Sequence, residues 1–423
     1  MSTVSRHPDL KGILDTWRAR ELLASAPARI DQHRKGNLSI RVTRPDGSPA
    51  PDGILVNIRQ KTHAFGFGCA ALSLHAHAEP AAEAQYQKLF TDAFNFATIM
   101  TFWHDIEKEK GKRTTELYLR RAKTLKAAGI RVKGHPLILP GVCPGWVPKD
   151  ADGGRDAVKD WITFMVRTFR GVVDTWDVTG DIWTADNQKN GIGAWVRKVG
   201  RQQVFSDALR WTLAANPNAV TLYNDFALDN AYVDLVRGAL RGGDPLHVQG
   251  LEAHMDGAGW LLEQLWVHSD TFGKLGRPLH WSEITVNSND LGAKGPQSDV
   301  STRSGEARQA EYADAMYRLL FSHPNVDAIC WWNLVDGDWG GNPGGLVRRN
   351  LTPKPSYDVI RQLIHEEWNS TMTKRTDHRG EVAARVFAGD YEITVDRSDG
   401  GGAQQVAVDV TAGKATRRVT IGL

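Results

Sequence analysis

The sequence is poor in cysteine, has no long apolar run, and carries almost no excess charge of either sign. Each shortage removes a class of protein. Among 423 residues there are three cysteines, Cys69, Cys143 and Cys330. An odd, widely spaced set excludes a disulfide framework and fits a reducing compartment. No apolar stretch approaches the roughly 18 residues of a membrane-spanning helix, so no membrane partner is expected. Lys+Arg total 52 against Asp+Glu 49, a net charge of +3. That is no basic footprint for nucleic acid. The N-terminus, MSTVSRHPDL, has no apolar h-region. A cytoplasmic chain is therefore expected as the sequence stands, or a secreted one if a leader has been removed.

What the chain has is a large core and many indoles. Hydrophobic residues make up 41% and charged residues 24%, which excludes wholesale disorder. At roughly 100–200 residues per domain, the length allows two or three domains, or one large α/β barrel with an appendage. Trp (15) outnumbers Phe (13) and Tyr (8). Most of these indoles are expected to fill the core. A flat apolar ring also suits the C–H face of a sugar, so some are candidate stacking platforms.

Residues 11–35 are expected to form a helix. The runs NLSIRV (37–42) and GILVNIR (53–59) alternate apolar and polar residues across the turn-rich RPDGSPAPD, the pattern of paired strands. Four more strand-like runs close the chain: EVAARVF, YEITVD, QQVAVDV and TRRVTIGL. The two ends together could form one small β-sandwich, because chain termini often lie close. Between them, short β-branched or aromatic runs alternate with helical segments: 64–70, 94–100, 131–138, 173–180, 221–228, 247–255, 279–286 and 327–335. In one intervening helix, Thr114–Gly129, Tyr118, Ala122 and Leu125 share a face, a Thr can cap the start and Gly129 stands at C′. Eight strands with helices between them predict an α/β fold, a (β/α)8 TIM barrel. The expected division is residues 1–62 as an N-terminal helix and accessory strands, 63–370 as the barrel, and 371–423 as a C-terminal β segment.

In such barrels chemistry sits at the C-terminal ends of the strands. Those ends carry Trp103, His135, Asp181, Asn224, Glu252, His254, Glu283 and Trp332. Two carboxylates facing one cavity beside aromatic platforms are the parts for glycoside hydrolysis, one as acid and one as nucleophile or base. Blander roles stay open for each: a salt-bridged barrel glutamate for Glu283, a helix N-cap for Asp181, and a core histidine for His254.

The segments VKGHPLILPGVCPGWV, TWDVTGD, LYNDF, GLEAHM, HWSEITV, WWNLVDGDW and TPKPSY resemble, in order, strand-end motifs of glycoside hydrolase family 10, the endo-β-1,4-xylanases, over about residues 64–365. The resemblance implies a retaining mechanism with Glu283 as nucleophile and Asp181 as acid/base. It implies that His254 orients Glu283, with Glu252 behind the site, and that Trp103, His135, Asn224, Trp332 and Trp339 serve the sugar. Four departures accompany it. The family's Asn-Glu is Gly180-Asp181 here, its Gln in the sixth strand is Glu252, its G-H-T-L-V-W-H is GHPLILP, and its E-N-x-M-K-W is TIMTFW. An altered reactive-sugar subsite is expected, with Glu252 protonated near neutral pH or itself donating a proton. No cofactor and no metal are expected; the partner is an oligo- or polysaccharide substrate, and the protein is expected to be a monomer. Two other functions remain in view. One is a non-catalytic carbohydrate-binding barrel. The other is a metal-dependent hydrolase built on His75, His77 and Asp336.

Overall fold

The computed structural model describes residues 12, 14, 16–255, 259–396 and 403–423, with nothing said of the side chains of 295 and 296. The expected helix over 11–35 is instead two helices, Trp17–Ala24 and Ala26–Arg34; part of its first turn lies outside the described residues. Pro27 near the start of the second helix explains the break. Proline lacks the amide hydrogen and clashes with the carbonyl of the preceding turn. Ser25 at the junction donates its hydroxyl to the Glu21 carbonyl at 2.7 Å.

Two strands follow, β1 (Lys35–Thr43) and β2 (Leu55–His63). The barrel strands are β3 (Gly66–Ala70), β4 (Phe96–Met100), β5 (Arg131–His135), β6 (Thr175–Gly180), β7 (Val220–Asp225), β8 (Val248–Met255), β9 (Leu279–Val286) and β10 (Val326–Trp331). They close in sequence order, with β10 beside β3. Every pairing is parallel. The TIM barrel is therefore present, with each strand within a few residues of its predicted run. In the helix Glu116–Ala127, Gly129 follows with φ 79° as a C′ glycine, but Thr115 makes no side-chain cap. The Thr114 hydroxyl bonds the Ile106 carbonyl at 3.2 Å instead.

The chain ends in β11 (Met372–Arg375), β12 (Glu381–Phe387), β13 (Gly389–Val395), β14 (Gln404–Val410) and β15 (Thr416–Gly422). They build two small sheets with the N-terminal strands, ordered β12-β1-β15 and β11-β2-β13-β14. Alternation turns Leu38, Ile40 and Val42 of β1 toward Val56 and Ile58 of β2 and Ile393 and Val395 of β13, and these form a core separate from the barrel's. β11 is polar and short, so no periodicity announced it. Among the described residues no helix is long and apolar enough to cross a membrane. Most indoles fill the core, as expected: Trp161, Trp176, Trp195, Trp281, Trp331 and Trp368 are all buried.

Candidate active site

The C-terminal ends of the barrel strands surround a cavity of about 420 Å³. His135, Asp181, Glu252, His254 and Glu283 supply its polar wall, and Trp332 and Trp339 part of its apolar one. Seven of the nine sequence-predicted site residues thus line one space.

Glu283 sits in the middle of β9, buried, and several groups hold it. His254 Nε2 donates to Oε2 at 2.9 Å. The Thr285 hydroxyl is 3.0 Å from His254 Nδ1, and by donating there it fixes the tautomer that leaves Nε2–H for Glu283. Asn224 Nδ2 donates to Glu283 Oε1 at 2.7 Å. His135 Nε2 lies 3.5 Å from the same oxygen, and its Nδ1 is 2.7 Å from Asp177 Oδ2. Asp177 is in turn ion-paired with Lys133 at 2.7 Å, both fully buried. Burial pushes the Glu283 carboxyl up, but His135, the His254 hydrogen bond and Lys133 together outweigh it and hold it below the usual range. It is an ionised carboxylate with one face to the cavity.

The opposite wall is different. Asp181 ends β6 in the left-handed region, φ 49° and ψ 34°, which aspartate tolerates better than most residues. The turn Ile182–Asn187 follows, but the Asp181 side chain caps nothing, so the N-cap role is set aside. Burial first, then the charges of Asp225 and Glu283, raise its carboxyl to about 6. Glu252 comes next to it from β8. A register shift between Leu251 and Glu252 sets Glu252 directly beside Glu283 across the β8–β9 pair. Two carboxylates at neighbouring positions repel, and burial with that repulsion pushes Glu252 well above the carboxylate range. Asn224 bridges the two glutamates, since Nδ2 also donates to Glu252 Oε1 at 2.8 Å. The Ser282 hydroxyl on Asn224 Oδ1 fixes which way that amide points.

Two assignments need correction. Trp103 does not face the cavity. It begins the short helix Trp103–Ile106, stacks on Trp161 at 5.3 Å and donates its indole N–H to Glu107 at 2.9 Å. Asn224 is fully buried and touches the glutamates rather than the open space. Trp332 stands edge-on to His135 and His254. Its Nε1 is buried and has no partner among the described residues. Trp339 stacks on His254 at 4.3 Å and keeps 36% of its surface exposed.

Sequence reasoning missed Met100, Phe102, Leu139, Phe226 and Trp260, which complete the apolar wall. Phe226, directly after Asp225, was visible as a strand-end aromatic. Lys133 was legible too, because residues two apart on a strand share a face and His135 was already placed.

The metal alternative fails on position. His75 bonds Thr124 at 2.9 Å and lies 3.4 Å from Glu83, and Asp336 is paired with Lys354 at 2.6 Å. None of the three lines the cavity. Glu252, His254 and Glu283 each place one polar atom within 4.8 Å of the others. Those atoms are engaged with one another and with Asn224, so the set reads as an acid–base cluster rather than as metal ligands.

Comparison with known proteins identifies the barrel and its family. An endo-1,4-beta-xylanase B of Thermotoga neapolitana is 24% identical over 281 residues, which cover 63% of this chain and 78% of the xylanase. An anti-sigma-I factor, RsgI6, of Acetivibrio thermocellus is 24% identical over 410 residues, 93% of this chain; the match spans only 49% of that longer protein. Xylanase 10B from Thermotoga petrophila RKU-1, solved with xylobiose, shares the barrel with a TM-score of 0.60 at 22% identity, over 72% of this chain and 95% of that one. A family 10 enzyme from Paenibacillus barcinonensis does so with a TM-score of 0.62 at 20% identity, over 71% and 95%. The profile of glycosyl hydrolase family 10 matches residues 57–363, well over half the chain. This chain belongs to glycosyl hydrolase family 10.

Proposed function

We propose that the protein hydrolyses β-glycosidic bonds with retention of configuration, Glu283 attacking the anomeric carbon and Asp181 protonating the leaving oxygen. The observation that carries this is the contrast across one cavity: a carboxylate held ionised at Glu283 and a carboxyl raised to about 6 at Asp181. Separating two such groups is how one site holds an acid and a nucleophile at once. The xylanase relatives make a β-1,4-linked pentose polymer the first substrate to try. The unpartnered Trp332 N–H would meet a sugar hydroxyl, and the exposed Trp339 would stack on a ring.

The reactive subsite differs from that of an ordinary xylanase. A side chain at Gly180 would meet Leu139 and Pro136 at ordinary contact distance, so the wall there is apolar and offers a sugar hydroxyl no side-chain partner. A substrate carrying a substituent at that point fits better than a bare xylose unit. The test is incubation with fluorinated inactivating glycosides of several sugars, followed by intact mass and peptide mapping. A covalent adduct on Glu283 supports the reading, and the sugar that labels fastest names the subsite. An adduct on any other residue removes the nucleophile assignment.

A non-catalytic sugar-binding barrel is the second reading. One observation favours it: a relative matched over 93% of this chain is named as an anti-sigma factor. It predicts saturable sugar binding with no turnover on any activated aryl glycoside.

A further inference from the structure

The Asp181 and Glu252 carboxyls are within hydrogen-bond reach of each other. A carboxylate only accepts hydrogen bonds, so a contact between two carboxyl groups exists only if one carries a proton. Among the described residues, Asp181 Oδ1 is buried and receives nothing from an amide or hydroxyl. Glu252 Oε1 is taken by Asn224, which leaves its other oxygen for Asp181.

We infer that Asp181 and Glu252 share one proton and deliver it to the leaving oxygen as a pair, with Glu252 as the positioning residue that holds it against Asp181. This rests on the glycosidase reading and adds a third carboxyl to it. Among the described residues, four titratable groups stand around the pair. Glu283 stands beside Glu252 on β9. Asp225, from the end of β7, adds negative charge to both, with its own oxygens held by Tyr223 and the Ala227 amide. His135 alone among the facing groups favours ionisation of Asp181. His254, two residues beyond Glu252 on β8, is bound to Glu283 and places a ring nitrogen within 4.8 Å of a Glu252 oxygen.

The proton and charge balance makes the pair useful. Before reaction the pair carries one negative charge and Glu283 another. As Glu283 Oε bonds to C1 and the C1–O bond breaks, the pair's proton goes to the departing oxygen. The pair then carries two charges, and Glu283, now an ester, carries none. The part of the repulsion on Glu252 that comes from Glu283 is relieved in the step that needs its proton, while that from Asp181 and Asp225 remains. In the second step water attacks C1, its proton returns to the pair, the ester bond breaks, and Glu283 recovers its charge. Nothing is consumed except the glycoside and water.

Difference infrared spectroscopy of the full chain reads the proton without requiring turnover, so the result stands apart from the fate of the glycosidase reading. The carbonyl band of a protonated carboxylic acid should persist through neutral pH, disappear there in Glu252→Gln, and return in Glu252→Asp. In Asp181→Asn, where Glu252 loses a charged neighbour, the same band should titrate at lower pH. For turnover, the basic limb of kcat/KM should lie above 6 in the wild type. It should fall by about one pH unit in Glu252→Gln, with KM unchanged, because the last proton then belongs to Asp181 alone. Absence of the band at neutral pH, or a band unaffected by Glu252→Gln, overturns the shared proton. An unmoved basic limb overturns its role in catalysis.

Discussion

The two walls of the cavity solve opposite problems. On the β9 side, one carboxylate has several cationic or donor partners: His254, His135 and Asn224 touch Glu283, and Lys133 supports it through Asp177 and His135. On the β6–β8 side, Asp181 and Glu252 crowd together beside a well-bonded Asp225, and among the described residues one Asp181 oxygen receives nothing from an amide or hydroxyl. Burial raises the carboxyls on both sides. Partner supply decides the outcome, lowering Glu283 and leaving Asp181 and Glu252 raised. Acid and nucleophile are therefore distinguished by their neighbours rather than by residue type.

The comparison breaks most visibly at its ionised member. Glu283→Gln keeps the shape and the Asn224 contact region but removes the nucleophile. Turnover should fall on the order of 10⁴-fold or more, with melting and sugar binding retained. Near-normal steady-state rates would remove Glu283 from the mechanism. Asp181→Ala attacks the other wall. A general acid is worth about 10²–10⁴-fold, and that loss should appear on sugar leaving groups and nearly vanish on activated aryl glycosides, whose leaving oxygens need no proton. An equal loss on both kinds of substrate would make Asp181 structural.

Lys133→Met tests what stands behind the nucleophile. It leaves Asp177 charged and buried with His135 as its remaining partner, and breaking a buried pair costs about 3–5 kcal/mol. Chemical denaturation should show that loss, and the acid limb of the rate profile should rise because one group lowering Glu283 is gone. Stability unchanged within error would mean the pair contributes nothing.

The smallest effect has the opposite sign. Glu252 is raised in the folded state, whereas an unfolded glutamate ionises near about 4.3. As pH rises between those values the unfolded chain releases a proton that the folded chain keeps, so stability falls, and above the folded value the penalty is complete. Glu252→Gln removes that penalty. The variant should melt higher than the wild type, by a margin that grows as the pH is raised from acid to alkaline. A margin independent of pH would mean that Glu252 titrates normally.

Much of this was legible in the sequence. A glutamate inside the apolar run HWSEITV needed partners, and His254 and the strand alternation pointed to one rim. The barrel followed from eight spaced runs, and the paired terminal strands from their alternation. What escaped depends on geometry that periodicity does not carry. That Glu252 would stand near Glu283 was expected, but the register shift at Leu251 and Glu252 that pairs them leaves no mark in the residues themselves. Trp103 stood at a strand end, yet the next turn is a helix that rotates the indole onto Trp161. Asn224 was placed on the right strand end, but a side chain bridging two glutamates is hidden from substrate by what it holds.

The central claim is that Glu283 attacks carbon while the Asp181 wall supplies the proton. Retaining enzymes hold their two carboxyls about 5–5.5 Å apart and inverting ones about 6.5–9.5 Å, the wider gap admitting a water. Aspartate at 181 is one methylene shorter than glutamate, which makes stereochemistry the sharpest discriminator. Proton NMR of the sugar first released from a β-aryl glycoside reads it directly. The account predicts that the β-anomer appears first and then mutarotates. An α-anomer appearing first would contradict it, assigning Glu283 the role of a base that activates water.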